Sequence, residues 1–292
     1  MIAISPRQLE VFSAIAAAGS VRAAADQLGL TQPAASMALG ELERLLGAPL
    51  FDRQQRRLKL NEHGRALLPR AREIVERLRE LGTAAEPGGA LAVGASNTIG
   101  NYLVGDLLGG FVANYPRVQL SLRVANSQQI LAGVVDCSLD IGCIEAPVVH
   151  ADVELIPWRH DELRICVRAD HPLARRRRLR AEHLAGQRWI LRERGSGTRT
   201  VFEQASRDLL GPLDVALELG QSEAIKQAVI AGLGIACLPS AAIADAVASG
   251  RLVALHTPFL VLTRTLALAL HRTRYRGSTL RAFLESCRAS AG

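Results

Sequence analysis

Paired cysteines, lysine and long apolar runs are scarce in this 292-residue chain. Its five cysteines (Cys137, Cys143, Cys166, Cys237, Cys287) are odd in number, scattered and never spaced C-x-x-C. That pattern argues against a disulfide framework or a zinc site and for reduced thiols in a cytoplasm. Each thiol reads first as a small buried hydrophobe. Apolar stretches are short and interrupted, so no transmembrane span is expected. The opening MIAISPRQLEVF lacks the basic start and apolar run of a signal peptide. The seven histidines show no H-x-x-x-H or H-E-x-x-H spacing, and neither G-x-S-x-G nor a P-loop lysine occurs. Nothing proposes a nucleophile with its base, a metal set or a cofactor. The expectation is a protein that is not an enzyme, with no catalytic residue and no cofactor.

Basic charge is what the chain does have. Lys and Arg number 35 against 28 Asp and Glu, a net +7, and Lys59 and Lys226 are the only lysines. A basic balance points to nucleic acid only where the charge clusters. With 49% hydrophobic residues the chain can bury a core and divide into two or three domains.

The cluster lies in the first sixty residues. Ser5-Pro6 followed by RQLEVFSAIAAAG reads as a capped helix with Leu9, Phe12, Ile15 and Ala16 on one face, ended by Gly19. Ser20 caps a short second helix, and Thr31 caps a third that tolerates Pro33 in its first turn. Two short helices across a Gly-containing turn form the helix-turn-helix pattern, with Ala24, Leu28, Ala35, Leu39 and Leu42 as its interior. Gln32, Pro33 and Ser36 then face outward where a recognition helix meets base edges. Between two apolar segments that can pair as a hairpin lie Arg53, Arg56, Arg57 and Lys59 with no anion among them. That predicts a basic wing contacting phosphate or the minor groove, giving affinity more than sequence readout.

The stretches RQLEVF, AAADQLGLTQPAAS, LERLLGAPLFDR and LNEHG occur in the order and spacing of one family. Residues 7 to 64 resemble the N-terminal domain of LysR-type transcriptional regulators. The resemblance implies Thr31, Gln32, Pro33 and Ser36 at the DNA and Arg53 in the wing. Met37 and Gly40 stand where members often carry larger polar or basic residues, so the operator sequence does not follow from it.

From Asn61 to about Leu81 the period is helical, with Leu67, Ala71, Ile74, Leu78 and Leu81 as a seam at spacings of four and three. The seam predicts a dimer, which would present two recognition helices to a pseudo-palindromic double-stranded operator. A lone amphipathic helix packed on its own domain is the alternative. The domain reading is a winged helix-turn-helix at 1–60, a linker helix at 61–85, a hinge at 86–90 and an effector-binding domain at 91–292.

From Leu91 strand-like runs (LAVGAS, VQLSLRV, LDIGCI) alternate with helical segments, an α/β pattern with parallel sheets. The charge run ARRRRLRAEH reads as a solvated loop entering a helix. Four strand-to-helix turns share a chemistry: ASNT (95–98), ANS (125–127), RGSGT (194–198) and GQSEA (220–224). Each sets Ser, Thr or Asn at a helix start, and such turns gather beyond the carboxyl ends of strands, where α/β ligands bind. Residues 190–199, ILRERGSGTR, fit a turn whose glycines let backbone N–H groups approach an anion.

This half resembles the periplasmic-binding-protein-like effector domain of the same family, with subdomains at about 91–162 plus 266–292 and at 163–265. SNTIGNYL, NSQQIL, DIGCIE, RERGSGTR and SEAIKQAVIAGLGIACLP look most like the branch that includes regulators of sulfur assimilation. By that likeness Ser96, Asn97, Thr98, Ser127, Ser196, Gly197 and Thr198 line the effector site. Arg194 and Arg199 would add positive potential, unless they pair with Glu193 or Glu203. Glu145 would either discriminate ligands by protonation state or form a salt bridge to a hinge arginine. The effector expected is a small inorganic oxyanion such as sulfite or sulfate. A small organic carboxylate against Ile99, Leu131 and Ile144 is the second reading, and a ligand-independent DNA-binding protein the third. The resemblance also implies a homotetramer and leaves RNA polymerase open as a further partner.

Overall fold

The computed structural model describes residues 3–54, 57–82, 86–145, 148 and 150–290. Three helices open it: α1 (Pro6–Ala18), α2 (Val21–Gln27) and α3 (Gln32–Leu46). Each begins where its cap predicts. Ser5, Ser20 and Thr31 accept from the backbone N–H three residues on, and Gln8 returns its side chain to Ser5 N, closing a capping box. Gly19 and Gly47 end α1 and α3 in the left-handed conformation. Ala24, Ala35, Leu39 and Leu42 are buried as expected, around Phe12, which meets Phe51 edge-on at 5.6 Å. The wing is the antiparallel pair β1 (Phe51–Gln54) and β2 (Arg57–Leu60).

Helix α4 (Glu62–Gly82) carries two apolar stripes rather than one seam. Leu68, Ala71 and Val75 are buried in the core of the N-terminal module, and Leu67 is half-buried against it. Ile74, Leu78 and Leu81 are exposed. The expected seam therefore loses Ala71: the i, i+3, i+4 set that ends on Val75 packs on its own module, and only the outer residues remain free.

The second half begins with β3 (Gly89–Ser96), inside the expected 86–90 break. A π-turn (Ile99–Leu103), α5 (Val104–Asn114), β4 (Val118–Ala125), α6 (Ser127–Val135) and β5 (Ile141–Ile144) follow. Then come β6 (Val153–Arg168), α7 (Ala181–Leu184), β7 (Arg188–Arg192), α8 (Gly197–Leu210), β8 (Asp214–Leu219) and α9 (Ser222–Ile230). β9 (Ala236–Pro239), α10 (Ser240–Ala248), β10 (Leu252–Ala254), β11 (Thr263–His271) and α11 (Ser278–Ala289) complete it. The expectation of parallel sheets holds only in part. β3 pairs parallel with β4 and β5, and β7 with β8, whereas β11, β9 and β10 pair antiparallel with β6.

Two long strands make that difference. β6 pairs with β11 up to Glu162 and with β9 and β10 from Leu163 onward, so one strand serves more than one core. The 162/163 and 265/266 divisions expected from sequence fall inside β6 and β11, which are continuous crossings. One core lies between the sheet and α5 and α11, with Phe111 edge-on to Phe283 at 5.1 Å. A second surrounds Trp189, whose ring lies 4.6 Å from that of Phe202 on α8, and further clusters form around Ile190 and Val229 and around Ile130 and Val134.

The N-terminal module meets the second half through α4. Arg72 Nη1 donates to Cys137 O and to Asp140 Oδ1 (3.2 Å). Arg274 Nη2 lies 3.2 Å from Asp140 Oδ1 and 3.4 Å from Glu76 Oε2. Glu80 accepts from Tyr275 Oη and Ser278 N, and Arg77 stacks over the Tyr275 ring at 4.3 Å. A cavity of about 450 Å³ lies beside this joint, lined in part by Glu10, Ser13, Arg72, Glu76, Asp140 and Arg274.

Candidate functional site

The four hydroxyl-bearing turns fall at the ends of β3, β4, β7 and β8, each leading into a helix. The first turn of a helix leaves N–H groups without intrahelical partners, so such a gathering concentrates donors. Ser96, Asn97, Thr98, Ser127, Glu145, Ser196, Gly197 and Thr198 are all buried. One hydrogen-bonded network joins six residues from both halves of this domain. Glu145 Oε1 accepts from Thr98 N at 2.8 Å, and Oε2 accepts from Thr198 Oγ1 at 3.1 Å and Arg264 Nη1 at 2.8 Å. Arg264 Nη2 also donates to Thr98 Oγ1 at 3.2 Å, and its Nε to Asp161 Oδ2 at 2.7 Å. Ser127 Oγ accepts from Glu145 N at 3.3 Å. Across the rim, Gln128 N donates to Gly195 O at 3.2 Å.

Burial opposes the charge on Glu145, but Arg264 and the polar contacts of the 96–98 turn outweigh it and hold the carboxyl below its usual range. The salt bridge to a hinge arginine is thus the arrangement present. Arg264 was not singled out from sequence, because its partner lies 119 residues away and no local motif joins them. Arg192 and Ser222 were also missed. Arg192 is buried, pairs with Glu193 through two nitrogens and donates to Ser222 Oγ at 3.3 Å. Of the two cations expected to add positive potential, Arg199 is paired with Glu203 and Glu218, and Arg194 is exposed.

What remains unpaired is neutral. Asn97 Oδ1 and Ser196 Oγ are buried without a hydrogen-bond partner in the protein, and Ser96 Oγ, apart from helping to hold the Glu145 carboxyl down, has none either. Leaving such atoms unmatched is costly. The apolar residues expected beside them, Ile99, Leu131 and Ile144, are buried as well. Among the described residues no group of His, Cys, Asp or Glu could hold a metal ion. All five cysteines are free and buried, and burial pushes the Cys166 and Cys287 thiols up to about 12.

At the other end of the chain, Thr31, Gln32, Pro33 and Ser36 are exposed along the start of α3. Lys59 is exposed on β2. Arg53 and Arg57 sit on the two wing strands; their side chains, and all of Arg56, lie outside the described residues. No described helix is long and apolar enough to cross a membrane.

Residues 6–65 match the model for the bacterial regulatory helix-turn-helix protein, lysR family, and residues 84–292 match that for the LysR substrate binding domain. The chain is 42% identical over 285 residues to the uncharacterized HTH-type transcriptional regulator YeiE of Escherichia coli K12, covering 97% of each. Its fold is similar to that of a full-length OxyR variant from Pseudomonas aeruginosa, with a TM-score of 0.78 at 24% identity, over 100% of this chain and 97% of that one. It is similar also to the CcmR regulatory domain of Synechocystis PCC6803 in complex with 2-PG, with a TM-score of 0.65 and 28% identity over 70% of this chain and 97% of that one. These relatives do not support the nearer resemblance to sulfur-assimilation regulators. A helix-turn-helix module matched over residues 6–65 and an α/β domain matched over 84–292, joined by a linker helix, place the chain in the LysR family: it is a DNA-binding transcriptional regulator with a small-molecule effector-binding domain, and not an enzyme.

Proposed function

We propose that the effector is a small oxyanion, with sulfite and sulfate the first to test, held in the cleft by Ser96, Asn97 and Ser196 and by N–H groups at the start of α8. The observation that carries this is the set of three unpaired buried polar atoms in a cleft whose buried arginines are already engaged. Thr98, Ser127, Gly197 and Thr198 shape the cradle, and Glu145 holds its two sides together. The Ser96 and Ser196 hydroxyls can donate to a compact anion, whereas Asn97 Oδ1 is an acceptor and suits a protonated oxygen of it. The 2-PG complex of the CcmR domain supports a small ligand in this type of domain. A small organic carboxylate is the second reading, favoured by the apolar walls at Ile99, Leu131 and Ile144.

At the DNA, Thr31, Gln32, Pro33 and Ser36 meet base edges, while Arg53, Arg56, Arg57 and Lys59 meet phosphates. Ile74, Leu78 and Leu81 are large apolar side chains left exposed on a helix, which supports pairing with a second copy and a pseudo-palindromic operator. Two such dimers make the expected tetramer. The effector acts by binding one arrangement of the two half-domains more tightly than the other.

Thermal unfolding of the full chain against sulfite, sulfate, phosphate and small carboxylates tests the ligand. A ligand at 100 times its Kd adds about 2.7 kcal/mol and raises the midpoint by several degrees. Ser196→Ala should abolish that rise while leaving the ligand-free midpoint unchanged, because Ser196 Oγ holds no internal hydrogen bond. A rise with organic acids alone would replace the oxyanion with the second reading; no rise with any ligand would overturn both.

For the DNA surface, Gln32→Ala should cost about 1–3 kcal/mol on the operator and little on scrambled duplex. Lys59→Ala should weaken both equally and reduce the salt slope by about 0.9. Equal losses on both duplexes for Gln32→Ala would remove it from base readout.

A further inference from the structure

Helix α6 and strand β5 run antiparallel between the same two places. At the cleft end lie Ser127 and Gln128, opening α6, and Glu145, just past β5. At the far end lie Cys137, just past α6, and Asp140, just before β5; both accept from Arg72 on the linker helix. The lengths agree: nine helical residues span about 14 Å, and four strand residues about 13 Å.

The pair is also stiff. β5 is buried along its whole length and bonded on both sides, by β3 and β11. A Cβ on Gly142 would stand 2.8 Å from Ile130 Cγ2 and 3.0 Å from Val134 Cγ2, and one on Gly133 would stand 2.7 Å from Leu139 Cδ1. Helix and strand are therefore in direct contact with no slack between them, and a displacement at one end moves the unit as a body. Cys137 itself packs into the core of the N-terminal module. Asp140 is further fixed to β3, accepting from Ala92 N at 2.9 Å and donating from its own N to Ala92 O at 2.8 Å.

We infer that α6 and β5 form a rigid strut that carries the state of the cleft to the DNA-binding module, with Arg72 as the joint on the linker helix. This rests on the reading of the cleft as the effector site. Thr198, on the far half of the domain, engages the strut through Glu145, and Gly195 engages it through Gln128. Closure or opening there shifts the strut, and Arg72 passes the shift to α4, which carries the exposed stripe and connects to the wing. Arg72 is thus a positioning residue for DNA binding that touches neither DNA nor ligand.

The test needs no ligand, so it stands apart from the thermal-shift result. Amide hydrogen exchange is followed in the full chain for wild type, Thr198→Val, Arg72→Gln and the double variant. Thr198→Val should speed exchange at residues 72–80 about tenfold, with α1 and α2 unchanged. In the Arg72→Gln background, Thr198→Val should add nothing at 72–80. The strut is overturned if Thr198→Val speeds exchange only at 96–98 and 196–198, or if its effect on 72–80 persists in full without Arg72. Should Thr198→Val fail to fold, Glu145→Gln enters the same cycle with the same two readings. Failure of oxyanion binding together with intact coupling would sink the effector assignment and leave the strut.

Discussion

The cleft holds a buried glutamate and the domain joint a half-buried one, and the two respond in opposite directions. Glu145 receives Thr98 N, Thr198 Oγ1 and Arg264, and these overcome burial to hold its carboxyl below the ordinary value. Glu76 is raised: burial dominates, and the nearest cation, Arg274, stands 3.4 Å away and is shared with Asp140. Arg274 keeps Nε and Nη1 unpaired, and Glu76 Oε2 makes no hydrogen bond. Burial penalises a carboxylate of either kind; the donors aimed at it decide the sign. The cleft network is saturated around its charge, while the joint is under-bonded.

That contrast can be broken most sharply at Glu145. Glu145→Ala takes away one of the two carboxylates that pair with buried Arg264, leaving Asp161, and strips Thr98 N and Thr198 Oγ1 of their acceptor; it should cost about 3–5 kcal/mol, read from urea unfolding. A loss as small as that of an exposed pair would show that the network does not hold the halves together. Arg274→Met comes next, at about 1–3 kcal/mol, because Asp140 keeps Arg72 while Glu76 loses its cation.

The pH dependence sharpens the sign. Glu145, depressed below 4.5, contributes stability that is present above its unfolded pKa and lost as pH falls through its lower folded one. Glu76, raised above 4.5, does the reverse: stability falls as pH climbs from its unfolded value through its higher folded one. Stability curves for wild type and Glu76→Gln should therefore diverge above pH 4.5 and converge in acid. The smallest effect is Glu76→Gln itself near neutral pH, within about 1 kcal/mol and of stabilising sign, since the amide keeps the shape without the half-buried charge. A large loss there would mean that Glu76 is as well matched as Glu145.

What the sequence disclosed follows from how far apart the interacting groups lie. Ser5, Ser20 and Thr31 cap bonds three residues away, so the N-terminal helices were legible to within a residue. The polar turns were legible as helix starts, and their convergence followed from the α/β pattern. The linker seam was half legible. Spacings of three and four recur on two adjacent stripes of α4, and only packing separates Ala71, inside, from Ile74, outside. Arg264, Arg192 and Arg72 carry no local signature at all; they matter through partners far off in the chain. The antiparallel half of the sheet was hidden because β6 changes partners at the charged run 159–162, which reads in sequence as a gap between two elements and not as the middle of one strand.

Gly195 sits at the rim with φ of +86°, and a Cβ there would fall 2.5 Å from Gln128 Oε1. Its carbonyl accepts the one backbone bond described between the 194–198 turn and α6. On the proposed reading of the effector site, a ligand held behind that bond would leave only once it breaks, and the rate of opening, not diffusion, would limit how quickly the bound state is forgotten. Such a regulator keeps time. Effector pulses shorter than the opening interval are averaged, and the promoter reads only the slower trend.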